Sequence, residues 1–151
     1  MGTRSTYRIR EAFNDESTNK KVFKDLALVY VQYDGYPEGH PSETAEWLGS
    51  GKVVNGIGLN DKKLIFNGAG CLAAQMIARM KDGPGGVYLQ DIKSRGKCWE
   101  EYLYDIIVDS NKNEIEFVAY ENYGKRPKEI FRGKPENFAN FVESLKHGRN
   151  K

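Results

Sequence analysis

Six consecutive residues, Leu26-Ala27-Leu28-Val29-Tyr30-Val31, constrain this chain more than any other stretch. An almost uninterrupted apolar run of that length reads as a central strand buried on both faces. Upstream, Tyr7 to Phe13 alternates apolar with charged side chains, as a half-exposed strand does. The polar, turn-rich stretch from Asn14 to Lys21 lies between them, so the two strands are expected to form a hairpin.

The same logic extends along the chain. Asp34 to Pro41 is a loop with two glycines and two prolines, and Ser42 is placed to cap a short helix through Leu48. Ala45, Trp47 and Leu48 would turn inward. Val53 to Leu59 is punctuated by glycine, and Asn60-Asp61 forms a turn before a strand over Lys63–Phe66. A helix over Gly70–Lys81 stops at Asp82-Gly83-Pro84-Gly85-Gly86. Val87–Gln90 is a short strand. Glu101–Asp109 and Glu114–Tyr120 are strands joined by the turn Ser110-Asn111-Lys112-Asn113, and Lys128–Arg132 follows Pro127 as an edge strand. The last helix starts near Pro135, with Phe138, Phe141, Val142 and Leu145 on its buried face. Residues 148–151 are expected to fray. The fold class is α+β: one domain over 1–151, with a mostly antiparallel sheet of five to seven strands and about three helices packed on it.

Composition bounds the function. At 151 residues the chain can bury a core without staples. The formal charge of +2, from 23 basic and 21 acidic residues, gives no bulk case for duplex nucleic acid or a membrane surface. No run of ~18 apolar residues is present, so no membrane span is expected. Nine tyrosines supply flat stacking faces with polar tips. Two cysteines, Cys71 and Cys98, read as free thiols of a reducing, cytoplasmic compartment. With two histidines distant from them, no metal site is expected, and no cofactor. The opening Met1-Gly2-Thr3-Arg4-Ser5-Thr6 fits only the loose N-myristoylation pattern.

Two stretches carry potential chemistry. In Phe66-Asn67-Gly68-Ala69-Gly70-Cys71 a strand enters a glycine turn that opens a helix. The first N–H groups of that helix lack intrahelical partners and sit at the positive end of the helix dipole. With Gly68 and Gly70 bare, an anion can reach them. The competing reading is that glycine there only permits close helix–strand packing. The segment also lacks the Lys-Ser/Thr ending of a P-loop. The second stretch is Tyr33-Asp34-Gly35-Tyr36-Pro37-Glu38-Gly39-His40. Tyr33 and Tyr36 offer stacking faces, Asp34 an acceptor, and His40 a donor to phosphate; alternatively the stretch is a tight turn into a helix. Cys71 stands where a helix N-terminus lowers a thiol pKa, which would make it a nucleophile. His40 would then be its base, oriented by Asp34 or Asn67. Equally, Cys71 can be a small buried hydrophobe. Arg4 offers a bidentate fork, and it shares strand parity with Arg8 and Arg10 in a possible basic stripe. The run Trp99-Glu100-Glu101-Tyr102-Leu103-Tyr104 suits either a protein contact or an ordinary amphipathic strand.

Met1–Ser5, Tyr33–Pro37 and Phe66–Gln75, with Val54-Asn55-Gly56-Ile57 and Asp82-Gly83-Pro84-Gly85, together resemble an uncharacterised family of small phage, prophage and bacterial or archaeal proteins. The resemblance spans roughly the first two thirds of the chain. It implies a phage-type origin, a bacterial or archaeal host cytoplasm and a shared site, and it names no reaction. Should the segments converge, Arg4, Tyr33, Asp34, Tyr36, His40, Asn55, Asn67, Gly68 and Gly70 would form one ligand site. Such a site suits a small anionic ligand, a nucleotide or cyclic oligonucleotide signal held without catalysis. In a phage setting this is an anti-defence sponge, expected to be a homodimer or higher oligomer. A Cys71/His40-dependent hydrolase or transferase and a protein–protein inhibitor are the alternatives.

Overall fold

The computed structural model describes residues 2–56 and 64–149. In chain order the elements are β1 (Ser5–Asn14), β2 (Lys21–Val31), α1 (His40–Ser50), β3 (Lys52–Val54), β4 (Ile65–Asn67), α2 (Gly68–Met80), β5 (Val87–Gln90), β6 (Tyr102–Asp109), β7 (Glu114–Glu121), β8 (Lys128–Gly133) and α3 (Phe138–Arg149). A short 3-10 turn precedes β6 (Ile92–Ser94) and another leads into α3 (Pro135–Asn137). The expected turn at Asn60-Asp61 and strand start at Lys63 lie outside the described residues, as do positions 150 and 151 of the expected frayed tail. Within that tail, α3 continues through Arg149.

Six strands form one open sheet in the order β5-β2-β1-β6-β7-β8, and β3 pairs with β4 apart from it. The fold is α+β, as the hydrophobic patterning predicts. The β1–β2 hairpin is antiparallel, as are β2–β5, β6–β7 and β7–β8. The exception is at the centre, where β1 and β6 run parallel and join the hairpin to the β6–β7–β8 meander. That junction refines the expectation for Leu26–Val31. β2 is interior only where β5 covers its outer edge, from Leu28 to Val31. The middle of the sheet belongs to β1 and β6, and Leu103 to Val108 of β6 is buried without interruption.

All three helices pack on one face, with Tyr7, Ile9, Val29, Tyr104, Ile106 and Phe117 beneath Ala45, Leu48, Leu72, Met76, Phe138 and Val142. The apolar stripe of α3 places Phe138 edge-on to Phe117 at 4.9 Å. On the other face, Arg8 forms a two-pronged bond to the buried Asp105 (2.9 and 2.6 Å), which Arg95 also meets. Arg10 pairs with Asp25 at 2.6 Å and lies over the Phe23 ring. The expected basic stripe is therefore neutralised, because each inner arginine faces a carboxylate from a neighbouring strand. The helix start at Ser42 also needs correction. α1 begins at His40 behind Gly39, which has no side chain to cap it, and Pro41 sits in the first turn. A proline there fixes a helical φ and has no N–H to leave unpaired.

Candidate functional site

Three of the glycine-rich stretches meet at one corner of the sheet. Gly35 N–H donates to the Thr3 carbonyl and Gln32 N–H to that of Gly86, each at 3.0 Å. Close approach dictates the glycines: a β-carbon at Gly2 would stand 2.6 Å from Tyr33 Cβ, and one at Gly35 2.6 Å from Ser5 Oγ. Tyr104 Oη donates to the Gly35 carbonyl at 2.7 Å and stacks on Tyr7 at 5.2 Å. Asp34 takes the left-handed conformation (φ 56°), turning the chain so that its carbonyl accepts from His40 N–H at 3.0 Å.

His40 pins this loop to the core. Its Nδ1 lies 2.7 Å from Tyr7 Oη, and its Nε2 is 3.5 Å from Ser5 Oγ. Burial pushes the imidazole down to about 4, against the opposing pull of the Asp34 carboxylate, so the ring is neutral at pH 7. Burial also pushes the Tyr7 and Tyr104 phenols well up, so both stay protonated. Tyr7 Oη and Nδ1 share one proton between them, and Nε2 faces Ser5. Nδ1 is therefore held by Tyr7, while Nε2 makes only a long contact to Ser5. His40, expected as a donor to ligand, has its Nδ1 held internally by Tyr7. Ser5, fully buried beneath Gly35, is inaccessible to substrate.

Outside this pin lies a cleft of about 200 Å³. Tyr33, His40, Glu43 and Thr44 line it together with Arg79 and Met80, over Val31 and Val87 of the sheet. The Tyr33 ring is 52% exposed. Arg79, in the last turn of α2, holds its guanidinium 5.3 Å from the Trp47 ring centroid. Among the described residues no carboxylate lies within 4.0 Å of it. Tyr36 is on the same loop, with its carbonyl accepting from Gly39 N–H, but it does not line the cleft.

The remaining expected residues are elsewhere. Asn55, Asn67, Gly68 and Gly70 gather at the opposite end of α2. The roughly twelve steps of about 1.5 Å between its 13 residues put about 18 Å between the two ends of that helix. The two glycine-rich regions therefore do not converge. Asn67 Oδ1 accepts from Gly56 N–H at 2.8 Å, tying the exit of β3 to the start of α2, and the helix has no side-chain cap. Among the described residues, no atom comes within 4 Å of a β-carbon built at Gly68 or Gly70. Close packing thus explains neither glycine; Gly68 needs its positive φ of 83°. Cys71 donates to Gln75 Oε1 at 3.1 Å, some two turns (~12 Å) along α2 from Arg79. Cys71 and His40 accordingly form no nucleophile–base pair, and neither Asp34 nor Asn67 orients the imidazole for one. Arg4 is on the other face of the sheet, since alternation groups it with Thr6 and Arg8, and its charge acts on Tyr30 there.

The key residue that sequence reasoning missed is Arg79. A cation in the last turn of a helix has an ordinary role against the helix dipole, so nothing local distinguishes it. Only the packing of α2 on β1 and β2 brings it to Tyr33. No group of three or more His, Cys, Asp or Glu side chains among the described residues is arranged to hold a metal ion. No described helix is long and apolar enough to cross a membrane. Comparison with protein-family models, curated proteins and solved structures finds no match.

Proposed function

We propose that this protein binds a small anionic ligand of the nucleotide class without catalysing a reaction on it. One observation carries the reading: the corner where the glycine-rich motifs meet opens onto a cleft offering a half-exposed Tyr33 and the guanidinium of Arg79, which has no described carboxylate within 4.0 Å although Glu43 lines the same cleft. Among the described residues, no serine or cysteine lines it. Ser5 is buried, and Cys71 is two turns away along α2. Stacking on Tyr33 would contribute about 1–3 kcal/mol per base. Arg79 would add charge-assisted bonds to phosphate.

The cleft is smaller than the ~300–1,000 Å³ that usually encloses a small ligand. A second copy covering the exposed part of the ligand would complete the enclosure, which a homo-oligomer provides. In the phage setting that the sequence resemblance implies, such a protein would sequester a nucleotide or cyclic oligonucleotide signal in the host cytoplasm. Native mass spectrometry against a panel of linear and cyclic nucleotides tests this directly. A nucleotide should remain bound to the unaltered protein and be lost from both Arg79→Ala and Tyr33→Ala, while Arg4→Ala retains it. Failure to hold any nucleotide, or retention by both cleft variants, would reject the reading.

A further inference from the structure

Trp99 is the most exposed large apolar side chain among the described residues, at 84%, and its backbone has a positive φ of 63°. A bulky residue avoids that conformation unless its surroundings impose it. Here they do. The buried Glu100 accepts from Cys98 N–H (2.7 Å), Gly96 N–H (3.1 Å) and Thr6 Oγ1 (3.0 Å). Glu101 N–H adds a bond to the Arg4 carbonyl at 2.9 Å. The loop is thus anchored on both sides of an indole that it holds out into solvent.

A second loop runs beside the first. Asn122 N–H donates to the Glu101 carbonyl at 2.8 Å, and Asn122 Nδ2 to that of Glu100 at 2.9 Å. Tyr123, next in the chain, is 65% exposed and stands edge-on to Tyr102. Across residues 95–101 and the 122–127 loop, the exposed charged side chains are Lys97, Lys125 and Arg126, all basic, with Lys128 and Glu129 following in β8. The acidic members, Glu100 and Glu101, are buried and half-buried. Two bare aromatic faces set among cations, with no exposed apolar rim, match the recognition chemistry of unpaired bases on a phosphate backbone. Acidic peptides would use the cations but not the open ring faces.

We propose that the ridge made by these two loops binds single-stranded nucleic acid, with Trp99 and Tyr123 stacking on bases and Lys97, Lys125 and Arg126 meeting phosphates. The ridge is separate from the Tyr33–Arg79 cleft, so either assignment can fail alone. Fluorescence anisotropy with labelled oligothymidylate and oligouridylate of about 12 nucleotides, over a range of salt, is the test. Binding should weaken roughly ten- to a hundredfold in Trp99→Ala, a change at an exposed position that spares the fold. Trp99→Phe should restore most of it. Replacing Lys125 and Arg126 by Ala should flatten the slope of log affinity against log salt by about 1.4, or ~0.7 for each phosphate left without its cation. Arg79→Ala should change nothing here. No binding of either strand at low salt, full affinity in Trp99→Ala, or equal affinity for a duplex of the same length would overturn the proposal. Displacement by polyglutamate as readily as by unlabelled oligonucleotide would overturn it in favour of an acidic protein partner.

Discussion

Gly35 and Gly70 belong to similar-looking, glycine-rich stretches, yet the molecule uses them for opposite reasons. At Gly35 there is no room: Ser5 lies directly against the backbone, and the loop is fastened by Thr3, Tyr104 and His40. At Gly70, on the open side of α2, a β-carbon would meet no described atom. Glycine in a helix interior costs ~0.5–1 kcal/mol relative to alanine, and nothing described at Gly70 offsets that cost. One glycine-rich region is therefore a locked piece of architecture beside a cleft. The other is an open helix start. Glycine content alone does not separate a packing requirement from a surface left bare.

The largest expected effect tests the lock through pH. His40 stays neutral in the fold down to about pH 4, whereas in the unfolded chain it protonates near its ordinary value of 6.5. Between those values the unfolded state binds more protons, so stability falls as pH drops through that window and levels off below it. The loss should amount to about 3 kcal/mol, read from urea midpoints measured across the window. In His40→Gln that part of the slope should vanish; a slope identical to the parent's would remove His40 from the lock. Next in size is Gly35→Ala, which should cost about 1–3 kcal/mol through overpacking against Ser5. Thermal or urea unfolding of that variant at parental stability would break the contrast. Smallest is Gly70→Ala, expected to raise stability by ~0.5–1 kcal/mol in the same assay. Destabilisation there would mean that the open helix start contains a constraint the described residues do not show.

Much of the fold is legible because burial writes a period into the sequence. The alternation of β1, the stop signal after α2 and the four-residue turn between β6 and β7 are local, and the structure follows them. The parallel β1–β6 junction is not legible, since a pairing between strands some ninety residues apart leaves no local trace. Side-chain sites are harder still. Tyr33, Asp34 and His40 do belong to one corner, but the role of His40 depends on knowing that Tyr7 and Ser5 face it. Arg79 illustrates the same limit from the other side, because its partner across the cleft is set by helix packing rather than spacing. The motif around Arg4 draws attention to it, yet strand parity alone places it with Arg8, away from Tyr7.

The most direct test of this division between the two glycine-rich regions is an amide-resolved titration. A nucleotide retained in native mass spectrometry would be added to ¹⁵N-labelled protein while ¹H–¹⁵N correlation spectra are followed. Shifts are expected at Tyr33 to Gly35, Thr44, Arg79 and Met80, with the Gly68 and Gly70 amides unmoved. Shifts centred on Gly68 to Gly70, with Tyr33 and Arg79 silent, would contradict the cleft assignment and move the site to the open start of α2.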